Sequence, residues 1–227
     1  MDYLKGKEAK ELILDIGRRM YARNFVAAND GNISVKTGDN EVWATPTGVS
    51  KGYMTKDMLV KVDLDGNILK GDHKPSSELK MHLRAYKENP DIKSVCHAHP
   101  PICTAFSIAG IELDSPVLAE AVITLGNVPV TPYAELGSIE VPDMIAPYCH
   151  THNGVILGNH GVVTWAGDPM SAYYRLESME YYANILMLTD KILGNQNKLT
   201  KSQVDSLIAM REKFGIKMGG YPHVTED

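Results

Sequence analysis

Between Lys74 and Pro100 the chain sets a carboxylate at a helix start about twenty residues ahead of two histidines spaced for one face of a strand. The rest of the fold is expected to serve that arrangement. Lys74-Pro75-Ser76-Ser77-Glu78 opens the stretch. Leu79, His82, Leu83 and Tyr86 then recur at three- and four-residue intervals, the apolar stripe of an amphipathic helix that Asn89-Pro90 ends. From Ile92 to His99 the chain turns β-rich, and His97 and His99, separated by one residue, project to the same strand face. Two imidazoles on one face can chelate one metal ion. Cys96, beside His97, points to the opposite face, where core packing is its expected role.

A chain of 227 residues with 44% hydrophobic content can bury a sizeable core, and one domain over residues 1–227 is expected, with a tail from 215 to 227. The 28 acidic and 23 basic residues form no long run of one sign, which argues against nucleic acid or an anionic membrane surface as partner. No apolar run approaches membrane-spanning length, and Met1-Asp2-Tyr3-Leu4-Lys5 lacks the layout of a signal peptide. A cytoplasmic location is therefore expected. Cys96, Cys103 and Cys149 are odd in number and lack paired-ligand spacing, as suits reduced thiols.

The spacing of Ala9, Leu12, Ile13, Ile16 and Met20 predicts a helix from Lys7 to about Arg23, broken by Asn29-Asp30-Gly31-Asn32. Ile33–Lys36 and Glu41–Thr45 read as a hairpin around Thr37-Gly38-Asp39-Asn40, with a further turn at Thr45-Pro46-Thr47-Gly48. Met58–Leu64 and Asn67–Leu69 read as a second hairpin around Asp65-Gly66, so the first third is mostly antiparallel. Ile102–Ala109 reads as a short helix closed by Gly110, followed by an irregular segment through Pro116 and Glu120. Val128–Thr131 reads as a strand. Ser138–Cys149 has helical spacing interrupted by Pro142 and Pro147. Val155–Leu157 and Val162–Trp165 are strands around Gly158-Asn159-His160-Gly161. Asp168 and Pro169 open a long helix ending near Gly194, and Thr200 with Gln203 has capping-box spacing for a last helix to about Phe214.

A catalytic zinc-type centre uses three protein ligands and an open position, so His97 and His99 need a third. His160 is the choice, because the glycines around it let the backbone turn sharply after a buried strand. Glu78 is the choice for a fourth ligand that becomes a general base once substrate displaces it. Gly31-Asn32, Thr47-Gly48 and Ser76-Ser77 each combine backbone amides with small polar side chains, as a phosphate requires, and the last lies at a helix N-terminus. Taken singly, each of these residues is equally an ordinary turn or core residue. His73, His82, His150, His152 and His223 lack partners at ligand spacing and read as structural or solvent-facing.

The order Gly31-Asn32-Ile33-Ser34, Thr45-Pro46-Thr47-Gly48, Pro75-Ser76-Ser77-Glu78, His97-Ala98-His99 and Asn159-His160-Gly161 resembles the class II aldolase and adducin family, in particular its fuculose-phosphate aldolases, from about Leu12 to Leu193. The resemblance implies an α/β fold, a three-layer α/β/α sandwich on a mostly antiparallel sheet. It implies zinc on His97, His99 and His160, acid/base work by Glu78, and phosphate held by Asn32, Thr47, Gly48, Ser76 and Ser77. The implied reaction is reversible cleavage of a ketose 1-phosphate to dihydroxyacetone phosphate and a small aldehyde, in a homotetramer with active sites between subunits. Where that family lends a tyrosine from the neighbouring subunit, this chain has Glu120, which reads either as a second acid/base, resembling the related methylthioribulose-1-phosphate dehydratases, or as a solvated loop residue, and Tyr221 is matched to the family's other interface tyrosine. A ribulose-5-phosphate 4-epimerase or a methylthioribulose-1-phosphate dehydratase is the alternative enzyme, although Glu78 stands where epimerases usually carry aspartate. A non-catalytic module like the adducin head is the alternative outside enzymes, and the three histidines argue against it. Mn2+, Fe2+ or Co2+ suit the same ligands as Zn2+. The sugar itself is set by loops that spacing does not locate.

Overall fold

In the computed structural model, which describes residues 3–224, eight strands form one sheet flanked by helices on both faces. Residues 1–2 of the start and 225–227 of the tail lie outside the described residues. The elements run α1 (Gly6–Ala22), β1 (Asn32–Gly38), β2 (Glu41–Ala44), β3 (Val60–Val62), β4 (Ile68–Lys70), α2 (Leu79–Glu88), β5 (Ser94–Ala98) and α3 (Pro101–Ala109). They continue with α4 (Ala119–Thr124), β6 (Val130–Tyr133), α5 (Glu140–Ile145), β7 (Gly154–Gly158), β8 (Gly161–Ala166), α6 (Pro169–Leu186) and α7 (Lys201–Lys213). Strand order is β4-β3-β2-β1-β5-β8-β7-β6, and every neighbouring pair is antiparallel except β6 with β7. The expected α/β sandwich on a mostly antiparallel sheet is the fold observed.

Strand alternation divides the core in two. Ile33, Val35, Cys96, Ala98, Ile156 and Val162 pack against Ile13, Ile16 and Met20 of α1, Cys103 of α3, and Leu176 and Met179 of α6. Val42, Val60, Val62, Val95, Val155, Val163 and Trp165 pack against Met81, Leu83 and Tyr86 of α2 and Val141 and Ile145 of α5. Cys96 thus faces the α1 layer, as expected, which leaves His97 on the α2 side beside Val95. Each fully buried aliphatic side chain contributes about 1.5–3 kcal/mol, so the two layers hold β5 from both faces.

Local chemistry sets most boundaries. Asp168 caps α6 through Ser171 N at 2.9 Å, with Pro169 in the first turn, and Thr200 and Gln203 form the reciprocal capping box of α7. Gly110 closes α3 in the left-handed region. Other segments depart from expectation. Val128 pairs only with Leu113, so β6 begins two residues later than read. The segment read as irregular through Pro116 and Glu120 holds the six-residue α4, too short to display a period. Pro142 falls in the first turn of α5, where no intrahelical acceptor awaits its missing N–H. The tail is tied down rather than free: Arg211 donates to Gly219 O at 2.6 Å, Asn153 Nδ2 donates to Met218 O at 2.7 Å, and Met218 packs on the α2-side core. Among the described residues no helix is long and apolar enough to cross a membrane.

Candidate active site

Strand pairing supplies the first contact that spacing alone does not. Asn32, at the start of β1, sits directly across from His97 of β5, and both point to the α2 side. Gly31 makes this approach possible: at its φ of 73°, an added Cβ would lie 2.6 Å from Val26 Cγ1 and 2.9 Å from His97 O. Asn32 Nδ2 donates to Glu78 Oε2 at 2.8 Å. Glu78 is the N-cap residue of α2, yet its side chain makes no cap bond and turns instead toward the histidines. Its Oε1 lies 3.1 Å from His160 Nε2 and its Oε2 3.4 Å from His97 Nε2.

The three imidazoles converge. His97, His99 and His160 have ring centroids 4.6–4.9 Å apart, and each offers one nitrogen within 4.8 Å of the others. His97 Nδ1 donates to Val162 O at 2.9 Å, and since a carbonyl only accepts, this leaves the Nε2 lone pair facing the cluster. His99 Nε2 lies 3.1 Å from it, and His99 Nδ1 lies 3.4 Å from Asp30 Oδ2. His160 reaches the group from the β7–β8 turn, where Asn159 adopts φ 54°.

Burial pushes His97 down to about 3 and also lowers His99, so both are neutral at pH 7, the form in which imidazole binds a metal. Burial works against ionisation of Glu78, but the neighbouring His97 and His160 and the Asn32 hydrogen bond outweigh it and hold the carboxyl below its ordinary range. Three imidazole nitrogens and a carboxylate aimed at one point form a donor set suited to a divalent cation. The Asn32 Oδ1, buried and without a partner among the described residues, adds an acceptor beside that set.

The two turns expected to hold phosphate lie side by side. Pro46 bridges Pro75, Thr47 N donates to Lys74 O at 3.0 Å, and Ser76 N donates to Thr45 O at 3.3 Å. Ile33 N donates to Thr45 Oγ1 at 3.2 Å, which joins the Asn32 segment to the same group. Ser76 Oγ accepts from Glu78 N at 3.3 Å, while Thr47, Gly48 and Ser77 are exposed. Gly48 takes φ 71° with open space where a Cβ would stand.

Glu120 and Tyr221 are not brought to this cluster within the chain. Glu120 is exposed on α4 and lines a groove of about 460 Å³ with Arg23, Glu177 and Tyr181. Tyr221 donates to Asp205 Oδ1 of α7 at 2.7 Å.

Three residues near the cluster escaped the sequence reading. Asp30 was subsumed in a helix break. Lys51, which as a lysine after a turn reads as solvated, is 1% exposed; its Nζ donates to Asn29 O at 2.8 Å and Val49 O at 2.7 Å, tying the Asn32 loop to the Gly48 turn, and burial lowers it to about 8. Ser107 of α3 bonds to the His160 backbone; as one hydroxyl in a short helix it gave no signal.

Residues 11–187 match the family model for the class II aldolase and adducin N-terminal domain. The L-fuculose phosphate aldolase of Methanococcus maripaludis is 37% identical over 172 residues, covering 76% of this chain and 92% of that protein. The 3-oxo-tetronate 4-phosphate decarboxylase of Haemophilus influenzae is 36% identical over 181 residues, covering 78% and 85%. A solved L-fuculose 1-phosphate aldolase superposes with a TM-score of 0.84 at 26% identity, covering 94% of this chain and 98% of that one.

Proposed function

The chain belongs to the class II aldolase and adducin family, and from that premise we propose that it is a metal-dependent lyase that reversibly cleaves a ketose 1-phosphate, such as L-fuculose 1-phosphate or 5-deoxyribulose 1-phosphate, to dihydroxyacetone phosphate and a small aldehyde. The observation that carries this reading is the convergence of His97, His99 and His160 on one point with Glu78 3.1 Å from His160. A non-catalytic module has no use for it.

In this reading His97, His99 and His160 would hold a divalent ion, zinc by preference, with Glu78 as a fourth protein donor beside them. When bound, the metal would supply Lewis acidity beside the substrate carbonyl, lowering the cost of negative charge that develops as the carbon–carbon bond breaks. The chain's own groups do the rest. Glu78 carries the proton to and from the reacting carbon, and Asn32 Nδ2 keeps its carboxylate aimed there. Thr47, Gly48, Ser76 and Ser77, with Asn32 beside them, receive the phosphate at the start of α2, where free amides and the helix dipole favour an anion. With the phosphate anchored there, the carbonyl end of the sugar is directed to the histidines. Glu120 and Tyr221, neither in contact with the cluster of its own chain, act at a neighbouring copy's site in a homotetramer, on the aldehyde oxygen. The whole chain works as one domain and in the cytoplasm.

A decarboxylase is the second reading, favoured by the Haemophilus relative, which matches this chain about as well as the archaeal aldolase does. Loss of carbon dioxide from a 3-oxo acid leaves the same kind of charge beside a carbonyl, so one site serves either bond. A panel of ketose 1-phosphates and 3-oxo-tetronate 4-phosphate, each assayed with and without a chelator for dihydroxyacetone phosphate and for its co-product, aldehyde or carbon dioxide, separates the two, since both reactions release dihydroxyacetone phosphate. Chelator-sensitive release together with an aldehyde from a ketose 1-phosphate is the expected outcome. Release together with carbon dioxide from 3-oxo-tetronate 4-phosphate, and none from the ketose 1-phosphates, moves the assignment to decarboxylation.

A further inference from the structure

We propose that Ser107 is a positioning residue for the third histidine, and that α3 is the strut that holds His160 in register with His97 and His99. The inference rests on the metal-centre reading above. Chain connectivity alone does not join the two halves of the cluster: His97 and His99 belong to β5 and the residue just after it, whereas His160 sits in a tight turn between β7 and β8. α3 bridges them. It starts at Pro101, two residues after His99, and its first amides are fixed by Glu180 of α6, whose carboxylate accepts from Ile102 N at 2.9 Å and Cys103 N at 2.8 Å.

At the other end of α3, Ser107 is buried and both roles of its hydroxyl are used. It donates to Leu157 O at 2.5 Å and accepts from His160 N at 3.0 Å. Those two groups flank the turn that carries the ligand. The turn closes on its own bond, His160 N to Leu157 O at 3.1 Å, with Asn159 in the left-handed region, and the Ser107 hydroxyl bonds to both of those groups and braces the turn from outside. It is also seated tightly on the other histidine segment: a Cβ on Gly161 would come within 2.5 Å of Ala98 O and of His99 Cδ2. A buried hydroxyl is unfavourable unless bonded, and here its bonds go to the backbone of a metal-ligating turn. Since metal–ligand distances tolerate only about 0.2 Å, loosening that turn should weaken the metal without removing any ligand.

The test compares Ser107→Ala, Ser107→Thr and a control, Tyr182→Phe. Tyr182 of α6 is likewise buried and donates its hydroxyl to a carbonyl, Ser115 O, which belongs to no ligand segment. Each purified protein is titrated with Zn2+ against a chromophoric chelator, loaded with Co2+ for its visible absorption spectrum, and melted. Ser107→Ala should bind Zn2+ about tenfold or more weakly, the low end of what outer partners of metal ligands contribute, and should alter the Co2+ spectrum. Ser107→Thr, which keeps the hydroxyl, should restore both. Tyr182→Phe should lose thermal stability with affinity and spectrum unchanged. If Ser107→Ala does not fold, Thr and Val at position 107, alike in shape and differing in the hydroxyl, repeat the comparison. Wild-type affinity and spectrum in the variant lacking the hydroxyl would overturn the positioning role and leave the metal centre standing. Failure of the unmodified protein to bind either ion would remove both.

Discussion

The histidine end of the sheet and the α4–α7 side of the molecule were both expected to contribute to one site, and they are built in opposite ways. His97, His99, His160, Glu78 and Asn32 come from strands, strand ends and one helix start that pair or pack directly, and their side chains meet within hydrogen-bond or near-contact distances. Glu120 and Tyr221 come from a short helix and a tail segment, are exposed, and have neighbours of their own that are not members of that cluster. Groups that act as one unit within a chain should fail together and severely, whereas groups lent by another copy should fail mildly and be replaceable by mixing.

The largest effect is expected at the cluster. His160→Ala should release the metal and lower turnover by on the order of a thousandfold, since Lewis-acid stabilisation is worth several kcal/mol; full metal content in the purified variant would take His160 out of the centre. Next, Glu78→Gln should retain the metal while turnover falls roughly 100-fold or more, as for loss of a general acid/base. Unchanged kcat in that variant would reassign the proton transfer. Ser77→Ala should act mostly on KM, raising it about tenfold, because a hydrogen bond to a charged phosphate is worth about 1.5–3 kcal/mol. An effect confined to kcat would separate Ser77 from the phosphate. The smallest single effects should come from Glu120→Gln and Tyr221→Phe. Mixing subunits of His160→Ala with those of Glu120→Gln should raise activity above what the Glu120→Gln subunits supply alone, and no gain at any ratio would mean that Glu120 serves no neighbouring site.

The contrast also explains what could be read in advance. Local rules were sufficient wherever one element settles the matter. The period-two spacing put His97 and His99 on one face and Cys96 on the other, the Leu79–Tyr86 stripe defined α2, and Asp168-Pro169 and Thr200 with Gln203 set helix starts. The α4 helix, the two-residue shift of β6 and the docking of the tail escaped, because each depends on a contact made by a distant residue: Leu113 for Val128, Arg211 and Asn153 for the tail. Resemblance supplied Glu120 and Tyr221, and proximity within the chain did not follow.

The sequence by itself determined which side chains are available and in which direction each leaves its own element: two imidazoles on one strand face, a carboxylate at a helix start, a histidine in a glycine-flanked turn. Only the tertiary structure decided that Asn32 stands opposite His97, that Glu78 forgoes its cap bond to face His160, that Lys51 is buried between two loops, and that Ser107 holds the His160 turn. The reason is physical. Side-chain direction follows from backbone periodicity, a local property, whereas strand register and helix docking follow from burying two apolar faces of one sheet at once, which joins residues far apart in the chain.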